Sequence, residues 1–432
     1  MKLEDIKSET EPEERRSVLS TYLSRVHAFS GNARLFLLSL LFFGVAMGIS
    51  QLLFNFYVLS LGYNEATLGN LVTARSLTSL IAALPMGYLT DRIGGKNAFL
   101  IGYLSYGVSM ALMLLFPSVP VFISMNVLQG VAQALSGVAT GPFLMENSGA
   151  KERTYLFSLS SGLRMTATSI GEWLGGYLPG WAASLIAVSA VSSQAYGWSL
   201  WVMAFLSLAS AVPVILMKAK MRSLSQRSAF APVSFIRKNP GLLGKLILPS
   251  LVISIGAGMI MPFMNVFFRN VHNQSDAAIG VIFAWGSLAM GVGLVVAPAL
   301  AERFGKIQVV TATQALSIPF LALLGFAPWF EVSVVAYYIR LTLMNMSGPI
   351  YSTFTMERVD PESRGMIASL SSMASNFGWA FSPTISGLLQ VRSGFQWPFT
   401  ITIITYMIAI GMYYAWFLAK GKGEQPVEMP AE

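Results

Sequence analysis

Four ionisable side chains, Arg75, Arg164, Glu172 and Arg340, fall well inside long apolar runs of this 432-residue chain. An uncompensated charge near the middle of a bilayer costs at least about 2.5–3.5 kcal/mol, so each should face a partner or an aqueous cavity. The chemistry they offer is binding and proton loading. Glu172 is the one carboxyl group among them. It is read in three ways: a site that takes up and releases a proton, a structural partner for Arg75 or another donor, or a substrate contact. Three arginines against one carboxylate would make a central cavity net positive, and Arg binds carboxylate and phosphate bidentately. The other reading is that each arginine satisfies backbone carbonyls or polar neighbours. Arg164 precedes Glu172 by eight residues, about 12 Å of helix rise, too far for a direct pair.

Bond-making chemistry finds no residues. The chain has no Cys, and its two His residues, His27 and His272, lie far apart. Thiolate and His-based metal sites are therefore not expected. There is no Walker A sequence, no G-x-S-x-G and no H-E-x-x-H. The reading is of a protein that is not an enzyme and that uses no cofactor or metal.

These residues need elements that hold them in lipid. Hydrophobic residues make up 54% of the chain and charged ones 11%, against about 25% charged in a soluble protein. Charges gather in islands between apolar runs near 35–59, 65–89, 97–116, 119–145, 154–186, 198–217, 246–268, 275–300, 307–327, 331–356, 365–391 and 395–419. Runs of about 20 apolar residues span a bilayer, and lipid leaves the backbone only itself to bond to, so each is expected to be an α-helix. Of the 28 Lys and Arg residues, 23 fall in the two tails and in the gaps after the even-numbered spans. Arg269 and Arg392 alone lie on the opposite side. This bias places both termini in the cytoplasm. The net charge of +8 follows that topology and not a nucleic-acid partner. Trp181, Trp198, Trp201, Trp329 and Trp397 fall near the span ends away from the basic loops, as an aromatic belt would. The basic segment "MRSLSQRSAFAPVSFIRKNPG" (221–241) divides six spans from six. The expected organisation is a cytoplasmic tail over 1–34, a bundle over 35–217, a linker over 218–245, a bundle over 246–419 and a tail over 420–432.

The two halves repeat at an offset of 211 residues. Gly69 meets Gly280. Leu89, Arg92 and Gly94 meet Leu300, Arg303 and Gly305, and Asp91 meets Glu302. Met145-Glu146 meets Met356-Glu357, Arg153 meets Arg364, and Ser158–Ser161 meets Ser369–Ser372. Apolar helices match by chance, but rare charged residues at one constant offset do not. Repeated membrane halves are the mark of a secondary transporter.

The loop "GYLTDRIGGK" (87–96), with Gly87, Asp91, Arg92 and Gly94, resembles the G-x-x-x-D-R-x-G signature of the major facilitator superfamily. Gly95 stands where that family usually has a basic residue, and Lys96 keeps the next basic position. "ALAERFGK" (299–306) echoes the loop with Glu302 for Asp, and "PESRG" (361–365) resembles the family's loop after span ten. The resemblance covers about residues 35–419. It implies an all-α integral membrane fold of twelve transmembrane helices in two pseudo-symmetric six-helix bundles.

The resemblance also implies roles for the islands. Asp91 would face the start of span eleven, near 363–367, where a carboxylate gains roughly 0.3–1 kcal/mol from unsatisfied N–H groups. Arg92 and Lys96 can pair with Glu146, and Arg303 and Lys306 with Glu357, as breakable contacts of a cytoplasmic gate that also involves Arg364. The bland reading is that these charges only fix topology. Gly94 and Gly305 would permit tight turns. Gly171, Gly175 and Gly176 match part of a span-five motif of proton-exchanging members, with Glu172 in place of its proline; Pro383 holds the corresponding place in span eleven. Spans one, four, seven and ten line the cavity in this family. Gln51, Asn55, Asn126, Gln129, Gln133 and Asn265 lie on such spans, and with Asn376 and Trp379 of span eleven they are candidates for it, with interhelical hydrogen bonding as the alternative. Gly162 and Gly387 are read as close-packing positions.

The expected function is alternating-access secondary transport in a bacterial cytoplasmic membrane by a proton-coupled monomer, with efflux of small amphipathic molecules favoured. Uptake of an organic anion or other small metabolite, and a non-transporting sensor on the same fold, are the alternatives.

Overall fold

The computed structural model describes residues 29–149, 152–218, 240–359 and 364–419. The 420–432 tail and most of the expected 1–34 tail and 218–245 linker lie outside the described residues. The described elements are α1 (Gly31–Ser60), α2 (Glu65–Leu115), α3 (Val119–Glu146), α4 (Arg153–Ile186), α5 (Ser193–Ala209) and α6 (Ala211–Leu216), then α7 (Pro240–Ile260), a 3-10 turn (Met261–Phe263), α8 (Met264–Asn270), α9 (Asp276–Phe304), α10 (Lys306–Phe326), α11 (Phe330–Met356), α12 (Arg364–Ser393), α13 (Gln396–Tyr413) and a π-turn (Tyr414–Leu418). No strand occurs among the described residues. The second and third spans are the two arms of α2, which parts at Gly94. The fourth and fifth are α3 and α4, and α5–α6 and α7–α8 are the sixth and seventh.

The first span starts at Gly31 and the seventh at Pro240, a turn or so before the apolarity begins. For α1 the reason is a cap: the Ser30 hydroxyl accepts from the Ala33 N–H at 3.2 Å, satisfying one of the donors a helix start leaves bare. Among the described residues, eight helices are long and apolar enough to cross a membrane by length and composition, with the kinked α2 among them. The helices α4, α11 and α12 fall short of that apolarity because they carry Arg164 and Glu172, Arg340, and Asn376 with many Ser and Gly. Trp181, Trp198, Trp329 and Trp397 are more than half exposed at one end of the spans, the placement of an interfacial belt.

The repeat is visible as geometry. Gly94 has φ 78° and ψ 161°, and Gly305, 211 residues on, has φ 87° and ψ 146°. Side chains rarely adopt either conformation, so glycine is what lets span two turn into span three and α9 into α10. The starts of α2 and α9 match as well. Asn64 caps Thr67 N at 3.1 Å, and Ser275, 211 residues on, caps Ala278 N at 3.3 Å. Glu65 and Asp276 follow as the first residues of those helices, where a carboxylate opposes the positive end of the dipole.

The apolar core divides unequally between the two faces. On the face away from the basic loops, here the distal face, one cluster runs through both halves. It joins Phe56, Tyr57, Tyr196 and Met203 to Phe263, Phe267, Tyr337 and Phe399. On the basic face there are two clusters, one for each half. Phe36, Phe99, Phe143 and Val214 form the first, and Ile307, Tyr351, Phe354 and Phe417 the second. The halves therefore share a core distally and separate toward the basic loops.

What joins them distally is a twin pair of helix seams. In one, α2 packs on α12; in the other, α9 packs on α4. A Cβ on Gly69 would overlap the Pro383 carbonyl, and one on Gly280 would lie 2.7 Å from the Glu172 carbonyl. A Cβ on Gly387 would overlap the Glu65 carbonyl, and one on Gly176 would lie 2.8 Å from the Asp276 carbonyl. The four glycines and the four residues they press on correspond pairwise at the same offset of 211. Small residues that let backbones touch are what drives helix association where lipid supplies no hydrophobic gain.

A Gly280→Leu chain should overpack this seam by about 1–3 kcal/mol and part the distal face. Spin labels at Ser189 and Asn273 should then report a longer distance than in the otherwise native chain. An unchanged distance distribution would show that the seam does not set closure.

Candidate functional site

Glu172 lies in the middle of the α4–α9 seam and is 5% exposed. Gly48 of α1 packs against its amide and Gly280 against its carbonyl, so its backbone is held from both halves. Its carboxylate accepts a hydrogen bond from Ser287 Oγ of the other half at 2.9 Å. Three residues earlier, Ser169 donates to the Ala284 carbonyl at 3.0 Å across the same seam. A carboxylate is a stronger acceptor than its neutral acid, so the strength of the Ser287 bond depends on the proton.

Arg340 is 2% exposed in the second half. It donates to the Tyr406 hydroxyl at 3.0 Å and lies 3.1 Å from Met261 Sδ, beside the 3-10 break in span seven. Its Nε finds no acceptor, and no carboxylate pairs with the guanidinium among the described residues. Tyr337, one turn before it, is within electrostatic reach of both Glu172 and Arg340.

The other cavity candidates separate by environment. Asn55 and Asn265 face each other across the halves and not a cavity. Asn55 Nδ2 donates to Asn265 Oδ1 at 2.9 Å and to the Pro262 carbonyl at 2.8 Å, and Asn265 donates to the Leu52 carbonyl at 2.7 Å. Gln129 is buried against Ser109 at 2.9 Å, and Asn126 bonds its own helix at the Phe122 carbonyl, 2.9 Å away. These amides have been spent on closing helix contacts because a buried amide without a partner is costly. Asn376 is exposed and donates to the Ser372 carbonyl of its own helix at 2.8 Å. Gln51, Gln133 and Arg164 are exposed, and Arg75 and Trp379 half-buried. A charge with Arg164's exposure inside a span requires water or a partner at that depth. A Cβ on Gly137, Gly141, Gly162 or Gly348 would meet nothing within 4 Å, so Gly162 is not the close-packing position expected of it.

The distal face carries a latch that the sequence reading did not assemble. Arg269 and Asp276 of the second half form an ion pair. The guanidinium sits 3.5 Å from the ring centroid of Phe56 in the first half and donates to the Tyr196 hydroxyl, which donates in turn to Asp276 Oδ2 at 2.8 Å. The signal available was a rare distal cation seven residues before a helix-starting acid.

The family model described as the Major Facilitator Superfamily matches residues 35–381 and 246–430. The chain belongs to the major facilitator superfamily. It is 24% identical over 407 residues to a multidrug resistance protein MdtG of Dickeya zeae, covering 90% of this chain and 95% of that one. It is 25% identical over 353 residues to the class C tetracycline resistance protein of Escherichia coli, covering 76% and 81%. A crystal structure of a bacterial homologue of the human lysosomal transporter Spinster, inward-facing and unoccupied, shares the fold, with a TM-score of 0.73 at 13% identity over 94% of this chain and 99% of that one.

The superfamily's signature loops differ between the halves. In the second, Lys306 pairs with Glu357. In the first, the residue at the place of Lys306 is Gly95, against which the Phe143 ring packs closely. Lys96, one residue on, points elsewhere on the helix. It donates to the Ile215 and Met217 carbonyls at 2.8 and 2.6 Å, at the end of α6, and not to Glu146. Arg92 lies over the Tyr88 ring, 4.9 Å from its centroid, and Arg303 over Phe304, at 5.2 Å. Gly87 stands 3.6 Å, by its absent Cβ, from Val138 Cγ1. Asp91 and Glu302 occupy equivalent places before the two glycine turns. Of residues 363–367, toward which Asp91 was expected to point, residue 363 and the side chains of 364–366 lie outside the described residues.

Two outcomes follow for the distal face. Asp276→Asn should weaken the latch by about 1.5–3 kcal/mol, the range for a hydrogen bond to a charged group. Thiol labelling of a cysteine placed at Gln274 should then speed up, and adding Tyr196→Phe should add little, because the two act on one network. His272 packs between Phe267 and Phe330, and burial holds its imidazole below the ordinary value against the pull of Glu331. Its contribution to stability is complete above about pH 6.5 and is lost as the pH falls below that, where the unfolded chain takes up a proton that the folded one resists. The thermal midpoint should therefore drop more between pH 6.5 and 5 in the native chain than in His272→Phe.

Proposed function

We propose that the protein is a proton-driven efflux antiporter for small amphipathic molecules. It works as a monomer in a bacterial cytoplasmic membrane, with both termini in the cytoplasm. Its working units are the six-helix bundles 35–217 and 246–419. The observation that carries the reading is the seam: a carboxyl group, Glu172, sits where the halves touch and bonds to the opposite half through Ser287. The shared distal core and the divided basic-face cores supply the two-state frame that such a group can bias.

In this reading, the distally closed arrangement admits substrate from the cytoplasm between the basic-face cores, past Arg164, Gln51, Gln133, Asn376, Trp379 and Arg75. A change in the proton occupancy of Glu172 alters the Ser287 bond, and the α4–α9 seam opens or closes with it. On the cytoplasmic side, Lys306–Glu357, Lys96 on the end of α6, and the group Gly87, Asp91, Arg92, Glu146, Glu302, Arg303 and Arg364 act as the gate that holds the outward-open arrangement. The names of the two resistance proteins support export over import. A second reading, transport of an organic anion, is favoured by one observation, the buried Arg340 guanidinium without a carboxylate partner among the described residues.

Reconstituted vesicles with an imposed pH gradient test the main reading. Tetracycline should be moved against its gradient by the native chain, and Glu172→Gln should lower the proton-driven flux by about 10²-fold while leaving exchange down a substrate gradient within about twofold. Proton-driven flux that survives Glu172→Gln unchanged would remove Glu172 from the coupling. A gradient-independent flux of an organic anion, lost in Arg340→Gln, would replace the reading with the second one.

A further inference from the structure

A groove of about 440 Å³ opens on the membrane-facing side of the distal α4–α9 seam. Tyr177 of the first half forms one wall, and Ala278, Val281, Phe330 and Val334 of the second form the others. Among the described residues its one charged lining residue is Glu331, exposed in the first turn of α11. Exposed Trp181 and Trp329 lie nearby, and Tyr177 stacks on Trp181 with ring centroids 6.2 Å apart. The groove thus lies at the level of the aromatic belt, with a carboxylate at headgroup depth and an apolar body reaching toward the hydrocarbon.

The charges around it leave Glu331 available. Arg269, in the last turn of α8, is committed to Asp276. His272 is within electrostatic reach of Glu331, but burial keeps the imidazole toward its neutral form. The groove therefore offers one net negative charge above an apolar and aromatic pocket of ligand size. The complementary molecule has an ammonium head and an apolar body, and the rings of Tyr177 and Phe330 favour a cation further.

We propose that this groove is a second binding site, separate from the crevice between the basic-face cores, for an amphipathic amine arriving from the distal leaflet, and that its occupation holds the distal face closed and inhibits transport. The reason for inhibition is the composition of its walls. Tyr177 belongs to one half and every other lining residue to the other, so the site exists only while the seam is closed. A ligand that binds one arrangement and not the other shifts the population toward it. The inhibitory consequence rests on the efflux cycle proposed above; the binding does not.

The test uses the full chain in lipid nanodiscs, with tryptophan fluorescence as the readout. Brominated dodecylamine should quench at lower concentration than brominated dodecanol. Glu331→Gln, at an exposed position, should raise the amine's midpoint about tenfold. Val334→Trp, which fills the groove, should abolish saturable quenching, and Gly280→Leu, which parts the seam, should weaken it by a similar factor. The amine should also slow tetracycline flux in vesicles without raising the half-saturating tetracycline concentration. Equal quenching by alcohol and amine, or no effect of Glu331→Gln, would overturn recognition by the carboxylate. Strong quenching by phosphatidylethanolamine with brominated chains, undiminished by added amine, would make the occupant an annular lipid and overturn the assignment. Binding that leaves flux unchanged would overturn the inhibitory role. Saturable quenching by a chain that moves no tetracycline would uphold the site while removing the efflux reading.

Discussion

The structure depends on backbone touching backbone at two seams. Lipid tails are as apolar as Leu and Phe, so two membrane bundles gain nothing from hiding apolar side chains from one another. They adhere where helix axes come close enough for dense packing, and that needs residues without side chains at the crossing. Gly69 and Gly387 meet the Pro383 and Glu65 carbonyls, and Gly280 and Gly176 meet those of Glu172 and Asp276. Closure of the distal face, the shared core behind it and the position of Glu172 all follow from that approach. The Arg269–Asp276 latch, clasped by Phe56 and Tyr196, sits beside one seam and reinforces it with charge.

The two halves share a plan but not a chemistry. Where the second half has Pro383 in its seam, the first has Glu172, and the carboxyl group reaches Ser287 through a contact that its twin cannot make. Where the second half has Lys306 on Glu357, the first has Gly95 under the Phe143 ring, and the basic side chain moves one residue along to hold the end of α6. One substitution places a titratable group at the interface between the halves. The other turns a helix-to-helix ion pair into a cation on backbone carbonyls. A pseudo-symmetric frame supplies two equivalent states, and departures from symmetry at the seam supply what can distinguish them.

Much of this was legible in the sequence. The apolar runs, their separation by basic islands and the constant offset of the rare charged residues determined an all-helical membrane protein of two repeated halves, because bilayer thickness and backbone hydrogen bonding leave no other architecture for such a chain. Glu172 stood out because a carboxyl group inside a span is costly wherever it sits. The glycine turns at 94 and 305 were readable for the same local reason: few other residues tolerate those angles.

Only the tertiary structure decided which polar groups face one another. Asn55 and Asn265 were open to lining the cavity or to interhelical bonding, and they are bonded to each other between α1 and α8; Gln129 is bonded to Ser109; Gly176 joined Gly69, Gly280 and Gly387 as a contact point. A side chain's partner depends on the rotation and crossing of helices far apart in sequence, and an amide bonded to a neighbour has the same composition and spacing as one open to ligand. Periodicity and charge bias record what lipid demands of each span alone. The seam, the latch and the groove beside Glu331 record what the spans demand of one another, which no single span encodes.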